Sequence, residues 1–266
     1  MKIGIIGATG RMGKMLVRAV MAHDDAELSG VVGRDTSPHI GQDIGEICGI
    51  GTIGHDIGDD IKKLITDADA VIDFTTPEST LAHAKICAET GTKLIIGTTG
   101  LTTEQEAMLK SYADQTTIIY APNMSIGVNL LLNLVKQVAS KLDETYDIEI
   151  IEAHHRHKVD APSGTALALG KSAAEGRKTT LEQSATYTRE GIMDPREMGS
   201  IGFSTIRGGD IAGDHTVLFA AEGERIELTH KASDRSVFAK GAVNAAIWSG
   251  TKENGFYSMQ DVLGLS

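Results

Sequence analysis

The sequence predicts an α/β chain, with a doubly wound parallel sheet in the first half and an α+β unit with a mixed sheet in the second. Three observations carry this. Short apolar runs alternate with helix-patterned segments as far as residue 120, and such alternation builds parallel sheets because each crossover needs a helix. A glycine cluster stands directly between the first run and the first helical pattern. After Asn123 the alternation stops, and strand-like runs separated by glycine turns take over.

Residues 2–6 form the first apolar run. Met12, Met15, Leu16 and Val20 then fall on one helical face, and residues 28–32 form a second run ending at Gly33. Strand, glycine turn, helix and strand within about 30 residues is the length of a βαβ unit. Residues 70–74, 93–96 and 117–120 read as further strands, with helices over 79–89 and 103–113 between them. Pro77, Gly97 and Pro122 follow these strands, so their loops belong at the sheet's carboxyl edge, where ligands bind in such folds. A leucine-rich helix (Leu130, Leu131, Leu134, Val138) is expected over 125–141, an alternating strand over 146–153 and a helix over 165–174. Strands follow at 200–206, 214–221 and 224–231, the last two joined by Glu222-Gly223-Glu224 as an antiparallel hairpin. Residues 176–199 are polar and helix-poor and read as a mobile surface excursion. A last helix over 235–248 returns to pack on the first unit.

The chain has 266 residues, 41% hydrophobic and 23% charged, ordinary proportions for a soluble globular protein. No apolar run approaches the ~20 residues that span a bilayer, and the N-terminus lacks a signal-peptide core. A cytoplasmic protein with no membrane partner is the expectation. The net charge of −11 argues against a nucleic-acid partner, since no basic surplus exists to neutralise phosphates. It also means that an anionic substrate must be met by locally concentrated positive charge. Cys48 and Cys87 form no C-x-x-C pair and read as thiols in a reducing compartment.

Three motifs carry chemistry. Gly7-Ala8-Thr9-Gly10-Arg11-Met12-Gly13 joins the first strand to the first helix. A pyrophosphate needs backbone N–H groups it can approach closely and the positive end of a helix dipole, which glycines in a strand–turn–helix supply. A ligand-free glycine turn is the plain alternative. A P-loop is excluded, because Gly13-Lys14 is followed by Met15 rather than Ser or Thr. Second, the ribose of a dinucleotide without a 2′-phosphate is usually held by a carboxylate about 20 residues beyond the glycines. Here Gly33 stands in that place, followed by Arg34 and Asp35. Arg34 fits a partner for a 2′-phosphate and fits an exposed turn residue equally well.

The third motif runs from Glu149 to Ala166, with His154, His155, Arg156, His157 and Lys158 in succession and then Pro162-Ser163-Gly164-Thr165-Ala166. Zinc is the obvious rival for a histidine-rich tract. However, Arg156 and Lys158 are interleaved with the histidines, and no Cys or His follows at ligand spacing, so no metal is expected. The cluster suits carboxylates and proton transfer near pH 7. Ser163 is the expected N-cap of a helix, whose first N–H groups, at Gly164 and Thr165, complete a cradle for a dicarboxylate.

On these residues the chain resembles the 4-hydroxy-tetrahydrodipicolinate reductase (dihydrodipicolinate reductase) family. The signature E-[IV]-x-E-x-H-x-x-x-K-x-D-x-P-S-G-T-A is met at every fixed position from Glu149 to Ala166, and the likeness extends to Gly97-Thr98-Thr99-Gly100, Ala121-Pro122-Asn123-Met124-Ser125, Arg207-Gly208-Gly209-Asp210 and Thr229-His230-Lys231-Ala232-Ser233. The resemblance implies an NAD(P)H-dependent oxidoreductase of the diaminopimelate pathway of lysine biosynthesis, with a Rossmann-type first domain, acting on a small cyclic dicarboxylate. It implies that His154 is the catalytic histidine and Lys158 the proton donor. It assigns His155, Ser163, Gly164 and Thr165 to the substrate. Gly7, Ala8, Thr9, Gly10, Arg11 and Met12 become the dinucleotide loop, and Gly97, Thr98, Thr99, Ala121, Pro122, Asn123 and Met124 line the nicotinamide. Gly33 departs from the acidic residue of relatives that accept NADH, so NADPH is expected to be preferred over NADH, with Arg34 on its phosphate. Met124 replaces a frequent phenylalanine. A homotetramer is implied, built through the strands near 200–231, whose edges are otherwise exposed. The domains expected are 1–124, completed by about 235–266, for the dinucleotide, and 125–234 for substrate binding and oligomerisation.

Two other readings fit part of the chain. A nucleotide-sensing protein without catalysis leaves the cluster from His154 to Thr165 idle. A semialdehyde dehydrogenase needs a nucleophilic cysteine, and neither Cys48 nor Cys87 has such a context.

Overall fold

The structure, a computed structural model, describes residues 1–265. The first half runs β1 (Lys2–Ile6), α1 (Arg11–Met21), β2 (Glu27–Val32), α2 (Ile44–Cys48), β3 (Ile57–Gly58), α3 (Ile61–Asp67), β4 (Ala70–Asp73), α4 (Pro77–Thr90), β5 (Lys93–Ile96), α5 (Thr103–Tyr112) and β6 (Thr117–Tyr120). There follow α6 (Ile126–Ala139), β7 (Asp147–His154), α7 (Gly164–Gly176), α8 (Leu181–Ser184), β8 (Ala185–Thr186), β9 (Ile201–Arg207), β10 (Gly213–Ala221) and β11 (Glu224–Ala232). The chain closes with α9 (Ser236–Ser249), β12 (Gly255–Tyr257) and α10 (Met259–Val262). Two compact units result: residues 1–126 with 235 onward, and Gly127–Asp234.

The first unit is built on a parallel sheet of order β12-β6-β5-β4-β1-β2-β3. Its strands are apolar on both sides because both faces are covered. Ile3 and Ile5 of β1, Ile72 of β4, Ile95 of β5 and Ile119 of β6 pack with α1 and α9. Their neighbours Ile6, Val71, Leu94, Ile96 and Ile118 pack with Leu64, Ala84, Cys87 and Leu109 of α3, α4 and α5. The strand order turns back at β1, so the loops after β1 and β4 flank the topological switch point. Asp43 and Asp60 cap α2 and α3, and Thr76 caps α4 with Pro77 in its first turn.

The second unit has a mixed sheet of order β11-β10-β7-β9-β8. β7 and β8 run parallel to β9, whereas β10 is antiparallel to both β7 and β11. One face, with Ile148, Ile150, Phe203, Val217 and Phe219, is buried against Leu131 and Val135 of α6 and Leu169 and Ala173 of α7. The stretch 176–199 is helix-poor, as expected, with only the short α8 and β8 in it, and it is tied back to the sheet. Tyr187 stacks on Phe203 with ring centroids 5.0 Å apart. Arg189 grips the Glu149 carboxylate with two hydrogen bonds of 3.0 and 2.8 Å, and Arg196 pairs with Glu149 and Asp147. These partners lie on β7, some 40 residues away, where no local pattern reveals them.

Candidate active site

In the first unit, Gly7 takes φ 74° as the chain leaves β1, and its N–H and that of Ala8 both donate to the Val32 carbonyl. Gly10 precedes α1 in extended conformation. Gly13, within the helix, lies so close to the turn that a Cβ there would stand 2.3 Å from the Gly7 oxygen. The third glycine of the motif is therefore required by helix–strand packing. This turn opens onto a cleft of about 720 Å³ at the sheet's carboxyl edge, lined by Gly7, Thr9, Gly10, Gly33 and Arg34–Ser37 on one side and by Phe74, Thr75, Thr76, Ser79 and His83 on another.

The predicted cofactor residues divide by position. Gly7, Thr9, Gly10 and Arg34 line the cleft. Arg11 is exposed in the first turn of α1, and Met12 is half-buried against the core. Ala8, Ala121 and Met124 have their side chains in the core, which leaves only their backbones for a ligand. Gly97 packs on the Phe74 ring, where a Cβ would stand 2.2 Å away. Thr98 is buried, receiving the Thr75 N–H at 3.0 Å and sharing a 2.9 Å hydrogen bond with Thr80. Thr99 and Pro122 are exposed, and the Asn123 side chain accepts the Ser125 N–H. Sequence reasoning missed Thr75, Thr76, Ser79 and His83. The signal for them was the threonine-proline turn after β4, which stands beside the switch point.

In the second unit, β7 alternates so that Glu152 and His154 point inward with Ile148 and Ile150. Glu152, 1% exposed, receives Arg207 through two hydrogen bonds of 2.7 and 2.8 Å, the Ser163 N–H at 3.0 Å and His154 Nδ1 at 2.6 Å. Burial on its own raises this carboxyl, but the bonds from Arg207, His154 and Ser163 outweigh it and bring it down to about 2. His215 of β10 stands edge-on to His154, with centroids 5.1 Å apart. Burial, reinforced by the neighbouring His154, pushes its ring down to about 4. Its Nε2 shares a 3.0 Å hydrogen bond with the Ser163 hydroxyl, and that same hydroxyl accepts the Ala166 N–H to cap α7.

The turn after His154 is pinned by the β9–β10 connection. The His154 carbonyl accepts from Gly208, and the His155 N–H donates to Ile211. Lys158 Nζ pairs with Asp160 at 2.9 Å and is 22% exposed. The histidines thus separate: His154 is buried, His155 half-buried and His157 exposed. Gly164 and Thr165 begin α7 at the surface, while Ser163 is 2% exposed with its N–H and hydroxyl committed beneath them. Sequence reasoning missed the partnerships of Glu152, Arg207 and His215. Among the described residues no three His, Cys, Asp or Glu side chains are grouped to hold a metal ion.

Comparison with known proteins agrees over the full length. The family described as dihydrodipicolinate reductase, N-terminus, matches residues 1–124, and that described as dihydrodipicolinate reductase, C-terminus, matches 127–263. A 4-hydroxy-tetrahydrodipicolinate reductase of Ruegeria sp. (strain TM1040) is 54% identical over 263 residues, 99% of this chain and 98% of that protein. That of Alkalilimnicola ehrlichii is 54% identical over 264 residues, 99% of each. Among solved structures, a dipicolinate-bound dihydrodipicolinate reductase from Paenisporosarcina sp. TG-14 is similar with a TM-score of 0.78 at 25% identity, covering 98% of both chains. An amine dehydrogenase from Mycobacterium smegmatis shares the fold, with a TM-score of 0.66 at 13% identity over 97% of this chain and 94% of that one.

Proposed function

The chain belongs to the dihydrodipicolinate reductase family, and from that premise we propose that it reduces 4-hydroxy-tetrahydrodipicolinate to tetrahydrodipicolinate with NADPH or NADH, a step of the diaminopimelate route to lysine. The observation that carries this reading is the gathering of His154 and Lys158 at the end of β7 with the N-terminus of α7. Cations beside a helix N-terminus suit a small dicarboxylate, and they do so in a chain whose net charge is −11.

The cleft of the first unit fits a dinucleotide: Gly13 has no room for a Cβ, and Arg34 stands at the cleft edge. The loop from Gly7 to Met12 and Arg34 would hold it, and Gly97–Thr99 and Ala121–Met124 would line its nicotinamide end. When bound, the dihydronicotinamide supplies a hydride to C4 of the substrate ring. The amides of Gly164 and Thr165 and the ring of His155 receive the substrate carboxylates, and Ser163 holds that helix end in place. His154, committed to Glu152 at Nδ1, presents Nε2, and Lys158 stands beside it on the same turn. Departure of the C4 hydroxyl as water, with a proton from the adjacent ring carbon, leaves the conjugated imine that accepts the hydride at C4, and these two groups supply the proton that quenches the charge developing on it. The protein works in the cytoplasm as a homotetramer formed through the second unit's sheet.

Following NADPH absorbance with the product of dihydrodipicolinate synthase tests the reading. Turnover is expected in the wild type, with a fall of ~10² or more for His154→Ala and Lys158→Ala at unchanged NADPH affinity. Pyridine-2,6-dicarboxylate is expected to compete with the ring substrate. Near-normal turnover in either variant, or insensitivity to the dicarboxylate, would overturn the assignment.

A further inference from the structure

We propose that Glu152, held by Arg207, is the positioning residue of the substrate site, one buried carboxylate fixing both the His154 ring and the start of α7. The proposal rests on the reading of His154 as catalytic and adds to it the group that aims it.

Glu152 is buried, yet every contact it makes is specific. Its Oε2 accepts from His154 Nδ1 at 2.6 Å and from Arg207 at 2.7 Å, while its Oε1 accepts from Arg207 at 2.8 Å and from the Ser163 N–H at 3.0 Å. The Thr205 hydroxyl reaches Oε1 at 3.3 Å. An ionised carboxylate on Nδ1 fixes the tautomer and leaves Nε2 as the working nitrogen. Nε2 lies toward Gly213, where a Cβ would stand 3.1 Å away, so any larger residue would crowd it. The bond to Ser163 ties the same carboxylate to the N-cap of α7, where the substrate carboxylate is read. Ring and cradle therefore keep one geometry relative to each other. The bidentate Arg207 pair keeps Glu152 charged in its buried place. The charged and titratable groups facing the carboxylate are Arg207 on β9, His154 on β7 and His215 on β10; Lys158 and His230 face His215, and Asp160 faces Lys158 and Arg207.

Glu152→Gln keeps the shape and removes the charge. Steady-state kinetics are expected to give kcat at least tenfold lower, a smaller rise in KM for the ring substrate and unchanged NADPH affinity. Arg207→Lys, which keeps charge but loses the fork, is expected to fall between the two. Imidazole 15N spectra of the wild type supply a readout that does not depend on the variants folding, and the expectation is that His154 carries its proton on Nδ1. Wild-type kcat and KM in Glu152→Gln, or a His154 whose proton sits on Nε2 and not on Nδ1, overturns the positioning role. Normal turnover in His154→Ala instead overturns the reading beneath it.

Discussion

At the scale of single residues, the site is costly to keep buried, and the cost has a sign that can be measured. His215 is 4% exposed and takes up a proton only near pH 4, against 6.5 for an ordinary histidine. Between those values the unfolded chain binds more protons than the folded one, so stability falls as the pH falls through this window. At ~1.4 kcal/mol per pH unit this amounts to about 3 kcal/mol. Glu152 adds a second loss below it, since its carboxyl is held at about 2 against 4.5, and its contribution fades from about pH 4.5 downward. Denaturant unfolding from pH 7 to pH 4 should find the wild type losing stability relative to His215→Gln; parallel curves would mean that the ring is not held neutral. Arg34 gives the other prediction at this scale. It is exposed beside Gly33, whose missing side chain leaves the end of β2 without a carboxylate. An arginine–phosphate contact there is worth ~1.5–3 kcal/mol, so NADPH should be preferred by roughly tenfold. Arg34→Ala should raise KM for NADPH and leave that for NADH nearly unchanged, and equal losses with both cofactors would reduce Arg34 to a turn residue.

At the scale of elements, close backbone approach decides which helices can seat themselves. Gly13→Ala puts a methyl 2.3 Å from the Gly7 oxygen and 2.5 Å from the Ala8 Cα, both backbone atoms that cannot swing away. Either α1 shifts or the turn opens, at a cost of ~1–3 kcal/mol for overpacking, and dinucleotide affinity should fall at least tenfold. An alanine variant that binds NADPH normally would show that the turn has slack. The same reasoning explains what could be read in the sequence. Strands β1, β2, β4, β5 and β6 and the long helices were legible, because each is an apolar run or a one-faced pattern bounded by Gly, Pro or a cap. Residues 34–69 yielded no element, although α2, β3 and α3 lie there. Their five, two and seven residues are too short for a period to declare itself, and they are held by Asp43 and Asp60 caps and by packing. The site followed the same rule. The tract from His154 to Thr165 was legible because it is contiguous, whereas Arg207 reaches Glu152 across 55 residues and His215 reaches Ser163 across 52, pairings that only the order of the second sheet creates.

At the scale of the whole molecule, the second unit's sheet has one face in its core and, among the described residues of that unit, no helix over the other. That outer face carries Ile151 of β7 and Ile206 of β9, 36% and 51% exposed, with Thr216 and Thr229 hydrogen-bonded across β10 and β11 beside them. Ile151 stands opposite Ser204 and Thr216 in the ladder, at the middle of the sheet rather than at its rim. A central apolar strip flanked by hydroxyl and charged residues is the pattern of an isologous interface, in which the same surface meets itself. The homotetramer expected of this family should therefore form through this face and bury more than ~1,200 Å² at each stable contact. Charge works against it, since every copy carries −11. That repulsion is long-ranged at low salt and screened beyond ~8 Å at physiological ionic strength, so raising the salt should strengthen assembly, not weaken it. Light scattering at micromolar concentration is expected to find four copies of the 28.2 kDa chain at 0.15 M salt. Smaller species should appear on dilution into low salt, and Ile151→Lys should shift the population to them under both conditions. A monomer at every salt concentration would sink the tetramer. A tetramer indifferent to Ile151→Lys would move its interface to another surface.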